Sequence, residues 1–402
     1  MKKRASFLKA LFVILAILIA GLYISGYGYL IELGAKVVEL GRTSAGLEDY
    51  VYFDSREIPK SDDPQAWPLH ADYNSVPATT KLKKLHQDHK TVAFLVIKND
   101  SIWHEQYFEG FGKDSKTNSF SMVKTIVSAS LAKAIEEGDV KSFDQPVKDF
   151  LPWLKGPYAD ELTVGNLATM SSGLKWKEDY ENLLTITPRT YISRDIVDVM
   201  KTLPIEAPPG EHFVYQSGST QLLSLVLTAA TGETISDLVR RYFWNPLGAH
   251  ADAKWRLDSP ENGIEKSYCC FNSNARDFSR FAALFKNDGV WNGKQLISAD
   301  YVQKSITPQF EDGQDYGYGW WLGSHMGKRF YSMRGHNGQY AIVFPDDDVI
   351  VVRLGRTQLP DLPGVRHSAD YLGYMEEAFA MLNNETTTSP CEHTVSRYRN
   401  CP

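Results

Sequence analysis

Cysteine is scarce in this chain, with four in 402 residues. Cys269 and Cys270 are neighbours, and Cys391 and Cys401 sit in the C-terminal tail. Neither pair has metal-site spacing, so no cysteine-built metal centre is read. Four cysteines fit an oxidising compartment. Bridging adjacent cysteines strains the chain between them, Cys391 and Cys401 could close a small loop, and the pairing stays open. Basic clusters are also missing from the body of the chain, and the formal net charge is -6. No nucleic-acid partner is therefore expected. The Gly-x-Ser-x-Gly elbow is absent, which argues against a Ser-His-Asp site of the α/β-hydrolase type. His86 and His89 share one helix face but lack a third ligand, so a solvated helix face is expected there and no metal. No internal repeat is visible.

What is present is apolar surface: 43% hydrophobic and 12% aromatic residues, ample for a sizeable core. Lys2, Lys3, Arg4 and Lys9 precede an uncharged run over 10–31. That run is long enough to cross a bilayer, with its basic flank on the cytoplasmic side and the rest exported, on the periplasmic side. No good signal-peptidase site follows, so an uncleaved inner-membrane anchor is expected over a cleaved signal.

Residues 1–31 are thus read as anchor or signal, 32–67 as a linker or arm, 68–385 as a catalytic domain, and 386–402 as a tail. Within the domain, a helix is predicted over 79–90, strands over 92–97 and 102–108, and a helix from Ser121 to Glu137. From about 150 to 288 the pattern is mostly helical, with helices over 162–170, 221–231 and 277–287. Strands return over 316–322, 329–334, 339–344 and 349–354, then a helix over 371–382. Two strand blocks separated by a helical stretch most simply share one antiparallel sheet, with the helical region inserted beside it.

Three motifs carry chemistry. In Ser121-Met122-Val123-Lys124 the spacing puts serine and lysine on one helix face. A desolvated lysine loses its proton more readily and can activate a serine hydroxyl. The Ser-x-x-Lys pattern occurs four times, at Ser6, Ser121, Ser130 and Ser172, so context must choose. Ser6 lies in the basic flank, Ser130 is half a helical turn out of phase with Ser121, and Ser172 lies at a helix end. Only Ser121 begins a helix of the folded domain. The second motif is Tyr215-Gln216-Ser217, just ahead of a helix, where a phenol can relay protons. The third is Arg334 to Gln339 at a strand start. There Gly335 and Gly338 let a ligand approach the backbone, and the Gln339 N–H could serve an oxyanion.

Ser-x-x-Lys, Tyr-x-Ser and His-x-Gly in this order resemble the serine β-lactamase and penicillin-binding-protein superfamily. The segments Phe143-Asp144-Gln145-Pro146-Val147 and Leu162 through Leu174 are similar to that superfamily's connecting text. The run from Gly173 to Tyr180 and the Cys269-Cys270 segment before Ala275-Arg276-Asp277 resemble the 6-aminohexanoate-dimer hydrolase group on its class C side. The resemblance spans about 92–380. It implies an α/β (α+β) fold, a β-lactamase-like antiparallel sheet flanked by helices with an all-helical subdomain inserted. It further implies a Ser121 acyl-enzyme, with Lys124 and Tyr215 as base and the N–H groups of Ser121 and Gln339 as oxyanion hole. Ser217, His336, Asn337 and Gly338 would bind the substrate, a small ester, amide or peptide-like molecule, with no cofactor. Ser217 and His336 stand where β-lactamases carry asparagine and lysine, which lowers the expectation of antibiotic hydrolysis. A catalytically silent, penicillin-recognising sensor is the alternative. Pocket residues are expected on loops between about 175 and 202, where Glu178, Asp179 and Arg194 could read a charged substrate end.

Overall fold

The computed structural model describes residues 2–388; Cys391 and Cys401 lie outside them. Helices α1 (Lys2–Ile24) and α2 (Tyr29–Leu40) come first, then strand β1 (Ser55–Ile58) and helix α3 (Thr80–Asp88). Strands β2 (Thr91–Lys98) and β3 (Ser101–Tyr107) form a hairpin, and β4 (Thr117–Asn118) leads to α4 (Val123–Glu137). The middle of the chain holds α5 (Ile186–Ile192), α6 (Ser217–Thr231), β5 (Ala253–Arg256), β6 (Phe271–Ser273) and α7 (Ala275–Lys286). Strands β7 (Trp321–His325), β8 (Lys328–Gly335), β9 (Gln339–Phe344) and β10 (Val349–Gly355) follow, then α8 (Ala369–Thr388).

The main sheet is antiparallel, in the order β3-β2-β10-β9-β8-β7. Val96 of β2 lies opposite Val351 of β10, so the two ends of the fold meet in one sheet. Both faces are covered, which is why the central strands read as continuous apolar runs. Leu95, Ile97, Val343 and Val352 pack in one core with Ile126 of α4 and Phe281 of α7. Phe94, Val96, Ile342 and Val351 pack in the other with Leu82 of α3 and Met375 of α8. Helix α4 is buried nearly all round. Its small residues Ser128, Ala129, Ala132 and Ala134 permit close packing from every side.

Several local expectations are sharpened or changed. The segment read as a linker or arm carries α2, and its β1 pairs with β5 in a second sheet, ordered β1-β5-β6-β4. That sheet also means the middle region is not wholly helical. Its strands are too short to show a two-residue period, although Trp255 and Phe271 are fully buried. The helix predicted over 162–170 shrinks to Val164–Ala168, because Thr163 and Asn166 close a capping box and Met170 turns to φ +59. His86 and His89 are buried rather than solvated. The His86 ring packs on Phe94 and Phe108 at 5.0 and 4.8 Å, and burial pushes its pKa down to about 3. Among the described residues no cluster could hold a metal ion.

The uncharged run over 10–31 is not one helix. The stretch Ser6–Ile24, of mean hydropathy 2.6, is long and apolar enough to cross a membrane. The helix then breaks at Gly26, which adopts φ +79, and α2 begins afresh.

Candidate active site

Ser121 sits where β4 turns into α4. Phe120 adopts φ +46, a conformation costly for a bulky side chain. Its N–H is held by Asn118 Oδ1 at 2.9 Å, and the Ser119 N–H by the Phe271 carbonyl at 2.7 Å. Ser121 therefore lies in a tight turn, Phe120–Met122, one step ahead of α4 itself. Lys124, in the first turn of α4, is 2% exposed. Its Nζ donates to Ser121 Oγ at 2.7 Å and to the Tyr268 carbonyl at 2.8 Å. Burial pushes its pKa from the ordinary lysine range down to about 8, with the negative charge of Glu178 opposing.

Tyr215 comes from the extended segment ahead of α6. The Lys124 ammonium stands 5.2 Å from its ring centroid. Tyr316 and Trp321 pack against the ring at 6.0 and 5.2 Å. Burial and then the charge of Glu178 push the phenol up, while the neighbouring Ser121 side chain pulls it down. The three other Ser-x-x-Lys serines have other surroundings. Ser6 lies in α1, the Ser130 hydroxyl donates to the Ile126 carbonyl at 2.9 Å, and Ser172 pairs with Ser219 at 2.8 Å.

Glu178 was legible only as a possible charge reader; it is a hub. Its carboxylate accepts the Ser217 N–H at 2.8 Å, the Ser217 hydroxyl at 2.6 Å, the Trp176 indole at 2.7 Å and the Tyr180 hydroxyl at 2.6 Å. A carboxylate at the start of α6 also complements the helix dipole. The Ser217 hydroxyl is thus committed to Glu178. Tyr180 in turn stacks on His336, with centroids 5.1 Å apart, and His336 meets Phe120 edge-on at 5.6 Å. Burial lowers the pKa of His336, favouring neutral imidazole. Asp179 and Arg194 stand apart from this hub: Asp179 accepts the Glu181 and Asn182 amides, and Arg194 pairs with Glu261.

His336, Asn337 and Gly338 form the turn between β8 and β9 rather than a strand start. Ser121, Ser217 and His336 line the cavity described below, whereas Asn337, Gly338 and Gln339 are not among its lining residues. Asn337 Nδ2 reaches the Ala45 carbonyl at 3.4 Å. Gln339 is fully buried opposite Gly335, and its amide group bonds the Gly355 carbonyl at 2.6 Å. Gly338 at φ +79 makes room for Arg353, whose Nη1 would stand 2.0 Å from an added Cβ. That guanidinium is fixed by the carbonyls of Asn337, Gly338, Thr357 and His89, so it cannot swing aside. Gly338→Ala is expected to cost about 2 kcal/mol or more and to lower Tm by several degrees in a thermal melt.

The cavity in front of Ser121 holds about 970 Å³ of empty space, part of it open to solvent. One wall is the 180–192 stretch, including Leu183, Pro188 and Ile192. Lys266 holds it, donating to the Thr190 and Ser193 carbonyls at 2.6 and 2.7 Å. The other wall was not foreseen: Leu33, Val37 and Leu40 of α2, with Phe53. Their spacing of four and three residues is a helical stripe, hidden behind the longer apolar run before it. Cys269 also lines the cavity and is disulfide-bonded to Cys270, so the neighbours do pair. Cys270 takes up the turn with φ +68.

The sequence model of the Beta-lactamase family matches residues 78–370. The chain belongs to this family. It is 26% identical over 302 residues to a 6-aminohexanoate-dimer hydrolase of Paenarthrobacter ureafaciens, covering 69% of this chain and 74% of that one. Its fold is similar to that of a Bacillus anthracis protein described provisionally as a 6-aminohexanoate-dimer hydrolase. The TM-score is 0.72 at 21% identity, over 86% of this chain and 94% of the other. A D-stereospecific amidohydrolase from Streptomyces superposes with a TM-score of 0.59 at 15% identity, over 75% and 99% of the two chains. The likeness covers the antiparallel sheet flanked by helices that the sequence led one to expect.

Proposed function

We propose that this family member is a serine hydrolase acting on an ester or amide through a Ser121 acyl-enzyme. The observation that carries the reading is the 2.7 Å contact between a buried Lys124 and Ser121 at the wall of a large cavity. Lys124, with its pKa lowered to about 8, is the group whose neutral form is within reach near neutral pH. It takes the proton of Ser121 as Oγ attacks the carbonyl carbon. Tyr215, whose phenol is pushed up by burial, works as a neutral hydroxyl. It receives a proton from Lys124 as it gives its own to the leaving group. A water then attacks the acyl-enzyme, with Lys124 again as base, and Ser121 regains its proton.

The Ser121 N–H is one oxyanion donor. For the second we favour the His336 N–H over that of Gln339, because Gly335 packs against the Ser119 carbonyl and His336 is the next residue on the cavity wall. We assign α1 as a membrane anchor, with Lys2, Lys3 and Arg4 on the cytoplasmic side and the catalytic domain outside, on the periplasmic side of an inner membrane.

A fluorophosphonate probe tests the nucleophile. The expected result is a single adduct on Ser121, mapped by mass spectrometry, together with Ser121-dependent turnover of a nitrophenyl ester. An adduct elsewhere would overturn the assignment. A stable acyl-enzyme, formed with release of one equivalent of nitrophenolate and no further turnover, would favour a sensor.

A further inference from the structure

The cavity wall contributed by α2 bears on the substrate. We propose that the substrate is a membrane-borne amphiphile whose acyl chain lies in this cavity, its carbonyl at Ser121. The proposal rests on the serine-hydrolase reading above and narrows it.

Three observations carry it. First, the wall is apolar and its charges are spent. Leu33, Val37 and Leu40 face a cavity also lined by Leu183, Pro188 and Ile192. The charged groups there are occupied: Lys36 bonds Glu39 and the Tyr52 carbonyl, and Arg42 bonds Asp49. A charged substrate end finds no free partner in them, whereas a hydrocarbon chain finds a surface that gains by leaving water. Secondly, this wall starts close to the bilayer. Helix α1 ends at Ile24 and α2 begins at Tyr29. The residues between them span at most about 14 Å when fully extended. Leu33 follows one turn into α2. Tyr23, Tyr27 and Tyr29 cluster at this junction, the residue type that sits at membrane interfaces. Thirdly, the mouth on that side is apolar on its outer surface too. The Tyr29 hydroxyl donates to the Leu183 carbonyl at 3.0 Å, tying α2 to the opposite wall. Beside that tie Ile31, Leu183 and Leu184 are exposed. A chain leaving the bilayer could follow these side chains into the cavity without crossing water.

The covalent step is ordinary acyl transfer. Ser121 Oγ bonds to the acyl carbon, and the bond from that carbon to the headgroup oxygen or nitrogen breaks. The headgroup leaves with a proton passed through Tyr215, and water then releases the chain as a free carboxylic acid.

The test compares methyl and dodecyl alkyl fluorophosphonates on the full chain in phosphatidylcholine nanodiscs. The dodecyl probe is expected to label Ser121 at least about tenfold faster, since each buried methylene adds to binding. Leu33→Asp and Val37→Asp, each on the cavity face of α2, are expected to bring the ratio to within about twofold. Val38→Asp, at a position 84% exposed on the same helix, should keep the wild-type ratio. Equal rates in the wild-type protein would overturn the proposal. So would a dodecyl preference that survives both cavity-face substitutions, because probe partition into the bilayer would then explain it. Failure of both probes to modify Ser121 would instead remove the serine-hydrolase reading, and this proposal with it.

Discussion

Ser121→Ala and Lys124→Ala should each lower kcat by roughly 10³-fold or more, and the double variant should be little worse than the worse single. The reason is that the two side chains do one job. Ser121 Oγ forms the bond to carbon, and Lys124 Nζ, 2.7 Å away, removes the proton that would otherwise keep Oγ a poor nucleophile. Without either, what remains is the cavity and the backbone donors. Lys124→Ala alone would be ambiguous, since it also strips the Tyr268 carbonyl of its 2.8 Å donor. Lys124→Arg resolves this. A guanidinium still donates but does not give up its proton at any working pH. It should therefore be nearly as inactive as Lys124→Ala. Substantial activity in Lys124→Arg would rule out the lysine as base, and near-normal turnover in Ser121→Ala would end the assignment. Single-turnover kinetics on a nitrophenyl ester give both numbers.

The sequence exposed the reacting pair and concealed its surroundings. Ser121 and Lys124 were legible because their relation is local: three residues along one turn, at the start of a helix. Tyr215 was legible from motif order, and its contact with Ser121 follows from the chain folding α6 against α4. Glu178 was not, because nothing local distinguishes a surface glutamate from one that accepts four hydrogen bonds. Its partners Trp176, Tyr180 and Ser217 are nearby or flank a known motif, yet their convergence is a property of the fold. Gly338 was read as a ligand contact from its glycine character, and Asn337 from the family resemblance alone. The freedom of Gly338 is instead used by Arg353, a residue 15 positions away whose burial no periodicity announces. The α2 wall was missed for a different reason. Leu33, Val37 and Leu40 follow an apolar run so long that their own period is submerged in it. The strand blocks fared best, apart from the strand expected over 316–322, which begins only at Trp321: both faces of the sheet are covered, and unbroken apolar stretches such as those over 92–97 and 340–344 admit few other placements.

The pH profile should be steep and should belong to Lys124. Acylation needs the neutral amine, and burial sets its pKa at about 8 rather than in the ordinary lysine range. Activity per enzyme, measured as kcat/KM, should therefore rise about tenfold per pH unit up to roughly pH 8 and flatten above it. Two units below that point only about a hundredth of the plateau should remain. The neutral state of His336, favoured by its burial, and the raised phenol of Tyr215 add no ionisation that would imitate this limb near pH 8. Glu178 provides the control on its cause. Its charge opposes the loss of the lysine proton, so Glu178→Gln should move the limb to lower pH. That variant keeps an amide oxygen to accept some of the bonds from Ser217, Trp176 and Tyr180. Stability should carry the same signature with a definite sign. Above pH 8 the folded protein has released the Lys124 proton while the unfolded chain still holds it up to the usual lysine pKa. The unfolded state thus binds more protons in that window, and this group's contribution to stability rises with pH across it. Lys124→Met should abolish that rise in urea titrations at pH 7.5 and 9.5. A limb centred near pH 6 in the wild-type enzyme, unmoved by Glu178→Gln, would point to a histidine instead and remove Lys124 from the base position.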